Sequence, residues 1–284
     1  MIREAISDLV NLALAEDLGD GDHSSMACIP QDAMGKAKLI IKEHGIIAGL
    51  DIAAQVFNMI DEKIVLSSKI EDGSRVKPGD IGFTVAGSIH SLLKSERLVL
   101  NILQRMSGIA TTTRRYVDAV REYKAKILDT RKTCPGFRIF EKEAVRLGGG
   151  MNHRMGLYDM IMLKDNHIDY SGGIKDAIAR TNSYLERNNK SLEIEIEVRN
   201  LEELNEVLEQ GMVNRIMLDN FSLDDTREAV RVVRGRFEIE SSGGINLETV
   251  QSYAACGVDF ISVGALTHQV KSMDISLKAY EIIQ

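Results

Sequence analysis

In this 284-residue chain of formal net charge −7, residues 127–168 hold seven Lys/Arg against five Asp/Glu, so that window alone is cationic. Arg131, Arg154 and Lys164, with Lys132 and His153 beside them, are the residue types that hold a small ligand carrying two or more carboxylates or phosphates. Arginine supplies a planar two-point contact and lysine a compact charge. A cationic island in an acidic protein fits a small anion better than nucleic acid, which needs a broad basic surface. Further on, Glu195 and Glu197 lie two apart and so share one face of any strand that contains them. Glu197 and Asp219 could bind Mg²⁺ directly or through water, and could equally pair with Lys164 or a neighbouring arginine. Ser242-Gly243-Gly244 and Gly264-Ala265 are turns whose backbone can approach a phosphate closely. His268 is near enough to Gly264 to assist that phosphate, or to cap a helix.

Those residues need a scaffold, and the pattern around them supplies one. Strands are expected near Lys126–Leu128, Met160–Leu163, Glu193–Val198, Arg215–Leu218, Phe237–Glu240 and Asp259–Val263, alternating with helices. The roughly 20-residue period of the last four units fits a parallel (β/α) barrel, whose functional side chains emerge at the C-terminal ends of the strands. Asp129 to Lys132, Lys164, Glu197, Asp219, Ser242 and Gly264 all fall at such ends. Upstream, helical spacing over residues 2–14 with a stop at Gly19, a strand over 36–42, a helix over 50–60 and strands over 64–70 and 81–86 make a small α+β unit ending near residue 90. The acidic run EDLGDGDHSS between them reads as a solvated turn, because it lacks the terminal Glu and spacing of a calcium loop. A helix from Leu92 carries Arg105 near its C-terminal end, breaks at Gly108 and resumes over 111–122. Residues 246–255, closed by Gly257, form another helix. Gly148-Gly149-Gly150 follows a helix rather than a strand, which argues for a helix stop and flexible loop and against a dinucleotide fingerprint.

Composition narrows the class. With 44% hydrophobic residues, three Pro and no Trp, the chain can bury a proper core and has no Pro-rich linker or low-complexity tail. No apolar run is long enough to span a bilayer, so no membrane partner is expected. Glu4, Asp8, Glu16, Asp17 and Asp20 interrupt the first twenty residues, which is unlike a secretory signal. Cys28, Cys134 and Cys256 are too far apart for a zinc or redox motif and are expected as reduced thiols of a cytoplasmic protein. Two rival functions share the scaffold. A Schiff-base aldolase or decarboxylase would use Lys164 as its amine, but needs fewer cations. A non-catalytic anion sensor would keep the pocket but gains nothing from Glu197 and Asp219.

The segments ALAEDLGDGDHSS, ERLVLNILQRMSGIATTT, DTRKTCPGFR, GGGMNHRMGLYD, KDNHI, IMLDN, SSGGI and GVDFISVGALTH, in this order, resemble the quinolinate phosphoribosyltransferase family over nearly the whole chain. The resemblance implies an α/β protein with an N-terminal α+β sandwich domain (1–108, joined by 274–284) and an incomplete parallel (β/α) barrel (109–273). It implies phosphoribosyl transfer from phosphoribosyl pyrophosphate to quinolinate with decarboxylation, Mg²⁺ as cofactor, and a homodimer or dimer-based hexamer. Residue by residue, Arg131, His153, Arg154 and Lys164 would hold the quinolinate carboxylates, with Lys132 near the pyrophosphate or phosphoribosyl group. Glu197 and Asp219 would face ribose and metal, and Ser242, Gly243, Gly244, Gly264 and His268 the 5-phosphate. Arg105 would reach the pocket of a neighbouring subunit. Cys134, Glu143 and Gln269 depart from the family pattern without removing a charged contact. A related family associated with molybdenum transport shares several of these motifs and stands as the alternative.

Overall fold

The structure is a computed structural model and describes residues 2–283. The first part of the chain forms α1 (Ile2–Leu18), α2 (His23–Cys28), β1 (Met34–Ile41), β2 (Gly45–Ile46), α3 (Leu50–Ile60), β3 (Val65–Ser68), β4 (Arg75–Val76), β5 (Ile81–Ser88) and α4 (Ile89–Val120). There follow β6 (Lys126–Leu128), α5 (Arg138–Leu147), β7 (Ile161–Leu163), α6 (Asp165–Ser171), α7 (Ile174–Arg187), β8 (Ile194–Val198) and α8 (Leu201–Gln210). The chain ends with β9 (Arg215–Asp219), α9 (Leu223–Val233), β10 (Glu238–Ser242), α10 (Val250–Ala255), β11 (Phe260–Ser262), α11 (Ala265–His268) and β12 (Ile275–Ile283). Two compact units result. The first combines the residues up to Arg114 with Thr133–Gly149 and the segment from Gln269; the second is Arg115–Lys132 with Gly150–His268.

The first unit is built on a four-stranded antiparallel sheet, β12-β1-β5-β3. Alternation along β1 buries Ala37, Leu39 and Ile41 while Lys36 and Lys38 stay partly exposed, so one face is apolar and one polar. Helix α3 turns Leu50, Ile52, Ala53, Val56 and Phe57 inward, and Phe57 meets Phe83 edge-on at 5.9 Å. Fully burying one such side chain contributes about 1.5–3 kcal/mol. Asp72 caps α3 from a distance, accepting from the N–H groups of Gly49 (2.7 Å), Leu50 (3.0 Å) and Asp51 (3.1 Å). The two-residue strands β2 and β4 pair with each other in a separate small sheet.

Three local readings change here. The acidic run is not just a turn: Asp22 N-caps α2, its carboxylate accepting from Ser25 N at 3.1 Å. Helix α4 runs 32 residues without a break at Gly108, which places Arg105 mid-helix. A Cβ at Gly108 would lie 2.3 Å from the Lys271 carbonyl oxygen, so the glycine serves close packing, not a break. Gly148 does stop a helix, as the C-cap of α5, but it is also a packing residue, since its Cβ would lie 2.6 Å from the Ala110 carbonyl oxygen and 2.7 Å from Thr113 Cβ.

The second unit carries a six-stranded parallel sheet ordered β6-β11-β10-β9-β8-β7, with helices between successive strands. No ladder joins β7 to β6 among the described residues. Instead Met151 bridges Leu128 at the β6 edge, with Met151 N donating to Ile127 O at 2.8 Å. The helix expected over 246–255 is shorter, α10, preceded by a turn in which Asn246 Oδ1 accepts from Glu248 N at 2.9 Å.

Candidate active site

Every strand of the parallel sheet ends in one of the residues singled out for chemistry, or just before it. Lys164 follows β7 and starts α6, and its backbone N–H donates to His167 Nδ1 at 3.0 Å. Its Nζ is ion-paired with Glu197 on the neighbouring strand β8. All five residues of β8 are buried. Ile194, Ile196 and Val198 alternate with Glu195 and Glu197, so both carboxylates project to the other face. Asp219 closes β9, and its Oδ2 accepts from Asn220 Nδ2 at 2.9 Å.

The glycine turns lie beside these acids. Ser242 closes β10, and its carbonyl accepts from Asn220 N at 2.9 Å. Gly243 has φ +100, and a Cβ there would lie 2.2 Å from Asn220 Oδ1, so only glycine fits against that loop. Gly264 follows β11, and its Cβ would lie 2.9 Å from His268 Nε2 and 3.2 Å from Lys132 Cδ. Lys132 and His268, 136 positions apart, therefore converge on the face of Gly264. Thr267 Oγ1 reinforces this by donating to the Lys132 carbonyl at 2.8 Å. A lysine, a histidine and a bare glycine backbone make a cradle for a phosphate.

The cations Arg131 and Arg154 share a neighbourhood. Burial, and then the charge of Arg131, hold the Arg154 guanidinium below its ordinary proton affinity, while Glu195 acts the other way. Arg154 NH1 also donates to the Met160 carbonyl at 3.3 Å. Two like charges held together favour an anion between them. His153 is placed differently from its charged neighbours. Its ring is 5% exposed, and Nε2 lies 2.9 Å from Glu195 Oε2 and 3.5 Å from Glu240 Oε2, both carboxylates being fully buried. Nδ1 accepts from Arg154 N at 2.7 Å, and the His153 backbone N–H donates to buried Asp129 at 2.9 Å.

Below this ring, Arg215 NH1 reaches Glu240 at 3.3 Å, NH2 reaches Glu238 at 2.9 Å, and the guanidinium stacks 3.9 Å from the centroid of Phe260. Burial lowers the His153 proton affinity, but its two carboxylate neighbours outweigh burial and raise the pKa to about 9. Burial and the repulsion of Glu240 push Glu195 up to about 7. Burial also raises Glu240, yet hydrogen bonds from His153 and Ser262 and the charge of Arg215 hold it below the usual carboxylate range. The Arg154 N–H directed at Nδ1 opposes a second proton on the ring, so His153 turns a single Nε2–H toward the two carboxylates.

Two acid groupings could be considered for a cation. Glu197 and Asp219 are an oxygen-only pair at the rim of adjacent strands, which suits a hard ion such as Mg²⁺. The Lys164 ammonium already neutralises Glu197, so a cation binding there would share or displace it. His153, Glu195 and Glu240 have ligand atoms within 4.8 Å of one another. Their space is already filled by the ring nitrogen and the charge of Arg215, and a mixed nitrogen and oxygen set does not suit Mg²⁺.

Glu240 and Arg215 are the contributors that the sequence reading did not single out, while Asp129, named there only for its place after the first strand, holds the His153 backbone. A signal was present for the first two: Glu238, Glu240 and Ser242, and Arg215, Met217 and Asp219, alternate with apolar residues as Glu195 and Glu197 do. In the first unit, Arg105 is anchored by buried Glu141, with Nε to Oε1 at 2.7 Å, and its NH2 lies 3.1 Å from Cys134 Sγ.

Comparison with known proteins agrees with this geometry. Residues 22–107 match the model of the N-terminal domain of quinolinate phosphoribosyl transferase, and residues 109–278 that of its C-terminal domain. The chain is 45% identical to quinolinate phosphoribosyltransferase [decarboxylating] 1b of Nicotiana tabacum, over 96% of this chain and 82% of that protein. It is 40% identical to the probable nicotinate-nucleotide pyrophosphorylase [carboxylating] of Bacillus subtilis, over 96% and 92%. The solved structure of NadC from Streptococcus pyogenes superposes with TM-score 0.92 at 40% identity, covering 97% of this chain and 96% of that one. The alternative linked to molybdenum transport gains no support from these comparisons. A parallel sheet with cations and glycine turns gathered at its strand ends, together with two family models that between them span nearly the whole chain, makes this protein a member of the quinolinate phosphoribosyltransferase family.

Proposed function

We propose that the protein transfers the phosphoribosyl group of phosphoribosyl pyrophosphate to the ring nitrogen of quinolinate and then releases carbon dioxide, giving nicotinate mononucleotide and pyrophosphate for NAD biosynthesis. The observation that carries this reading is the division of labour around one rim. Arg131, Arg154 and Lys164 lie at the ends of β6 and β7 or in the segment between them, Glu197 and Asp219 end the next strands, and the Lys132, Gly264 and His268 cradle lies beyond β11. A pyridine diacid, a ribose and phosphate groups need those three chemistries in that combination.

The diacid carboxylates occupy the field of Arg131, Arg154 and Lys164, while the 5-phosphate lies against Ser242, Gly243, Gly244, Gly264 and His268. As the anomeric bond breaks, positive charge develops on the ribose and negative charge on the departing pyrophosphate. Glu197 and Asp219 stabilise the former, and Lys132 the latter. Glu197 and Asp219 are the residues that would hold Mg²⁺, which would supply further positive charge for the leaving group. The electron pair of the pyridine nitrogen forms the new bond, so no side-chain nucleophile is needed. The ribosylated ring is cationic, and departure of the adjacent carboxylate as carbon dioxide leaves its electron pair beside that positive nitrogen. Decarboxylation therefore follows transfer. A homodimer or an assembly of dimers fits this reading, with Arg105, braced by Glu141, serving the pocket of a second copy.

Gly264→Ala tests the phosphate cradle. The new methyl group displaces Lys132 and His268, and the affinity for phosphoribosyl pyrophosphate should fall about tenfold or more, about 1.4 kcal/mol or above. Calorimetric titration checks it, with quinolinate affinity expected to change little. The reaction itself is tested by release of labelled carbon dioxide from carboxyl-labelled quinolinate, which should require phosphoribosyl pyrophosphate.

A further inference from the structure

Interior positions of a parallel barrel are normally filled by branched apolar side chains. Here two carboxylates with no exposed side-chain surface, Glu195 and Glu240, occupy them directly below the rim. Burying them is unfavourable unless their partners are held in good geometry, and one use of buried ionic groups is to fix a conformation. What they hold is the ring of His153. That ring has no nitrogen to spare: Nε2 faces the two carboxylates at 2.9 and 3.5 Å, and Nδ1 takes the backbone N–H of Arg154 at 2.7 Å. The N–H of Arg154 needs a lone pair on Nδ1, which leaves Nε2 as the donor to the carboxylates. Asp129 fixes the same peptide from the other side through the His153 N–H at 2.9 Å.

The consequence falls on Arg154. Its guanidinium stands in the field of Arg131, and repulsion between the two would swing it away from a pocket in which both must act. The side chain itself is anchored to Met160 O at 3.3 Å. The charges of Glu195 and Asp159 oppose that repulsion directly, and the backbone of Arg154 is held by the His153 ring. We infer that Glu195 and Glu240 are positioning residues for quinolinate, acting through the His153 ring to aim the Arg154 guanidinium at the substrate carboxylates. This rests on the reading of the site as a quinolinate pocket. Neither carboxylate touches substrate, and His153 serves as a strut between the buried acids and the half-buried arginine.

The test uses Glu195→Leu and Glu195→Gln, each alone and combined with Arg154→Ala, with kcat/KM for quinolinate measured at saturating phosphoribosyl pyrophosphate. Turnover of quinolinate by the unaltered protein checks the underlying reading separately. The leucine variant removes the acceptor for Nε2 and should raise KM for quinolinate at least tenfold, leaving KM for phosphoribosyl pyrophosphate within about twofold. Glutamine keeps an acceptor oxygen and should recover most of that loss, with a rise of about threefold to tenfold, since a charge-assisted bond becomes a neutral one. In the Arg154→Ala background both changes should cost less than twofold, because residues acting through one another are not additive. Should the leucine variant fail to fold, the glutamine variant carries the same cycle. An equal rise in both KM values, full additivity with Arg154→Ala, or an unchanged quinolinate KM in a folded variant would overturn the inference.

Discussion

Replacing Arg154 with alanine is expected to weaken productive quinolinate binding by about 2–5 kcal/mol, the usual cost of truncating one partner of a desolvated, hydrogen-bonded charge pair. That corresponds to a loss of roughly 30-fold to several thousand-fold in kcat/KM for quinolinate. Part of the loss is indirect, because Arg131 is left to face the diacid alone in a pocket built for two cations. Phosphoribosyl pyrophosphate should bind nearly as before, since its cradle is formed by Lys132, Gly264 and His268. Arg154→Lys should recover only part of the activity, as a point charge does not reproduce a bidentate contact. Steady-state kinetics with each substrate varied in turn will separate these effects. A comparable loss for both substrates would place Arg154 outside the diacid pocket.

The second large effect concerns folding. Arg215→Ala removes the guanidinium that balances Glu240 at 3.3 Å and stacks on Phe260, leaving two buried carboxylates with the His153 ring as their remaining close partner. Breaking a buried ionic cluster in this way costs about 3–5 kcal/mol of stability, measurable by denaturant unfolding of the second unit. The loss should depend on pH with a definite sign. Without Arg215, the folded-state pKa of both carboxylates rises relative to the unfolded value of 4.5, from about 7 for Glu195 and from below 4.5 for Glu240. A raised pKa contributes stability that is fully present below the unfolded value and is lost as pH rises through the folded one. The deficit of the variant relative to the unaltered protein should therefore be smallest where Glu240 is still protonated, below pH 4.5, and grow toward pH 8. A deficit independent of pH would mean that Arg215 contributes only packing.

The parts of the fold that could be read ahead of the structure are those whose signal is local. The strand at β8 was legible because Ile194, Ile196 and Val198 alternate with two glutamates, and β6, β7, β9, β10 and β11 because short apolar runs stop at polar residues. Their ends were legible for the same reason, which is why Lys164, Glu197, Asp219 and Ser242 could be named from spacing alone. Pairings set by tertiary structure were not. The two-residue strands β2 and β4 have no periodicity to detect. Gly108 reads as a break, because the Lys271 carbonyl that demands a glycine there is 163 positions away. His153 reads as one more cation of the island, since the two acids that claim its ring come from β8 and β10, and nothing near it in sequence announces them. Glu240 was passed over although its alternation matched that of Glu195; the pattern was visible and its partner was not.

The most direct measurement is release of labelled carbon dioxide from quinolinate carrying the label in the carboxyl adjacent to the ring nitrogen, with and without phosphoribosyl pyrophosphate in the presence of Mg²⁺. Release only when phosphoribosyl pyrophosphate is present, matched one for one by pyrophosphate and nicotinate mononucleotide, is the expected result, because carbon is lost only from a ring whose nitrogen already carries ribose. Release from quinolinate alone, or formation of pyrophosphate with the label retained in the product, would contradict it.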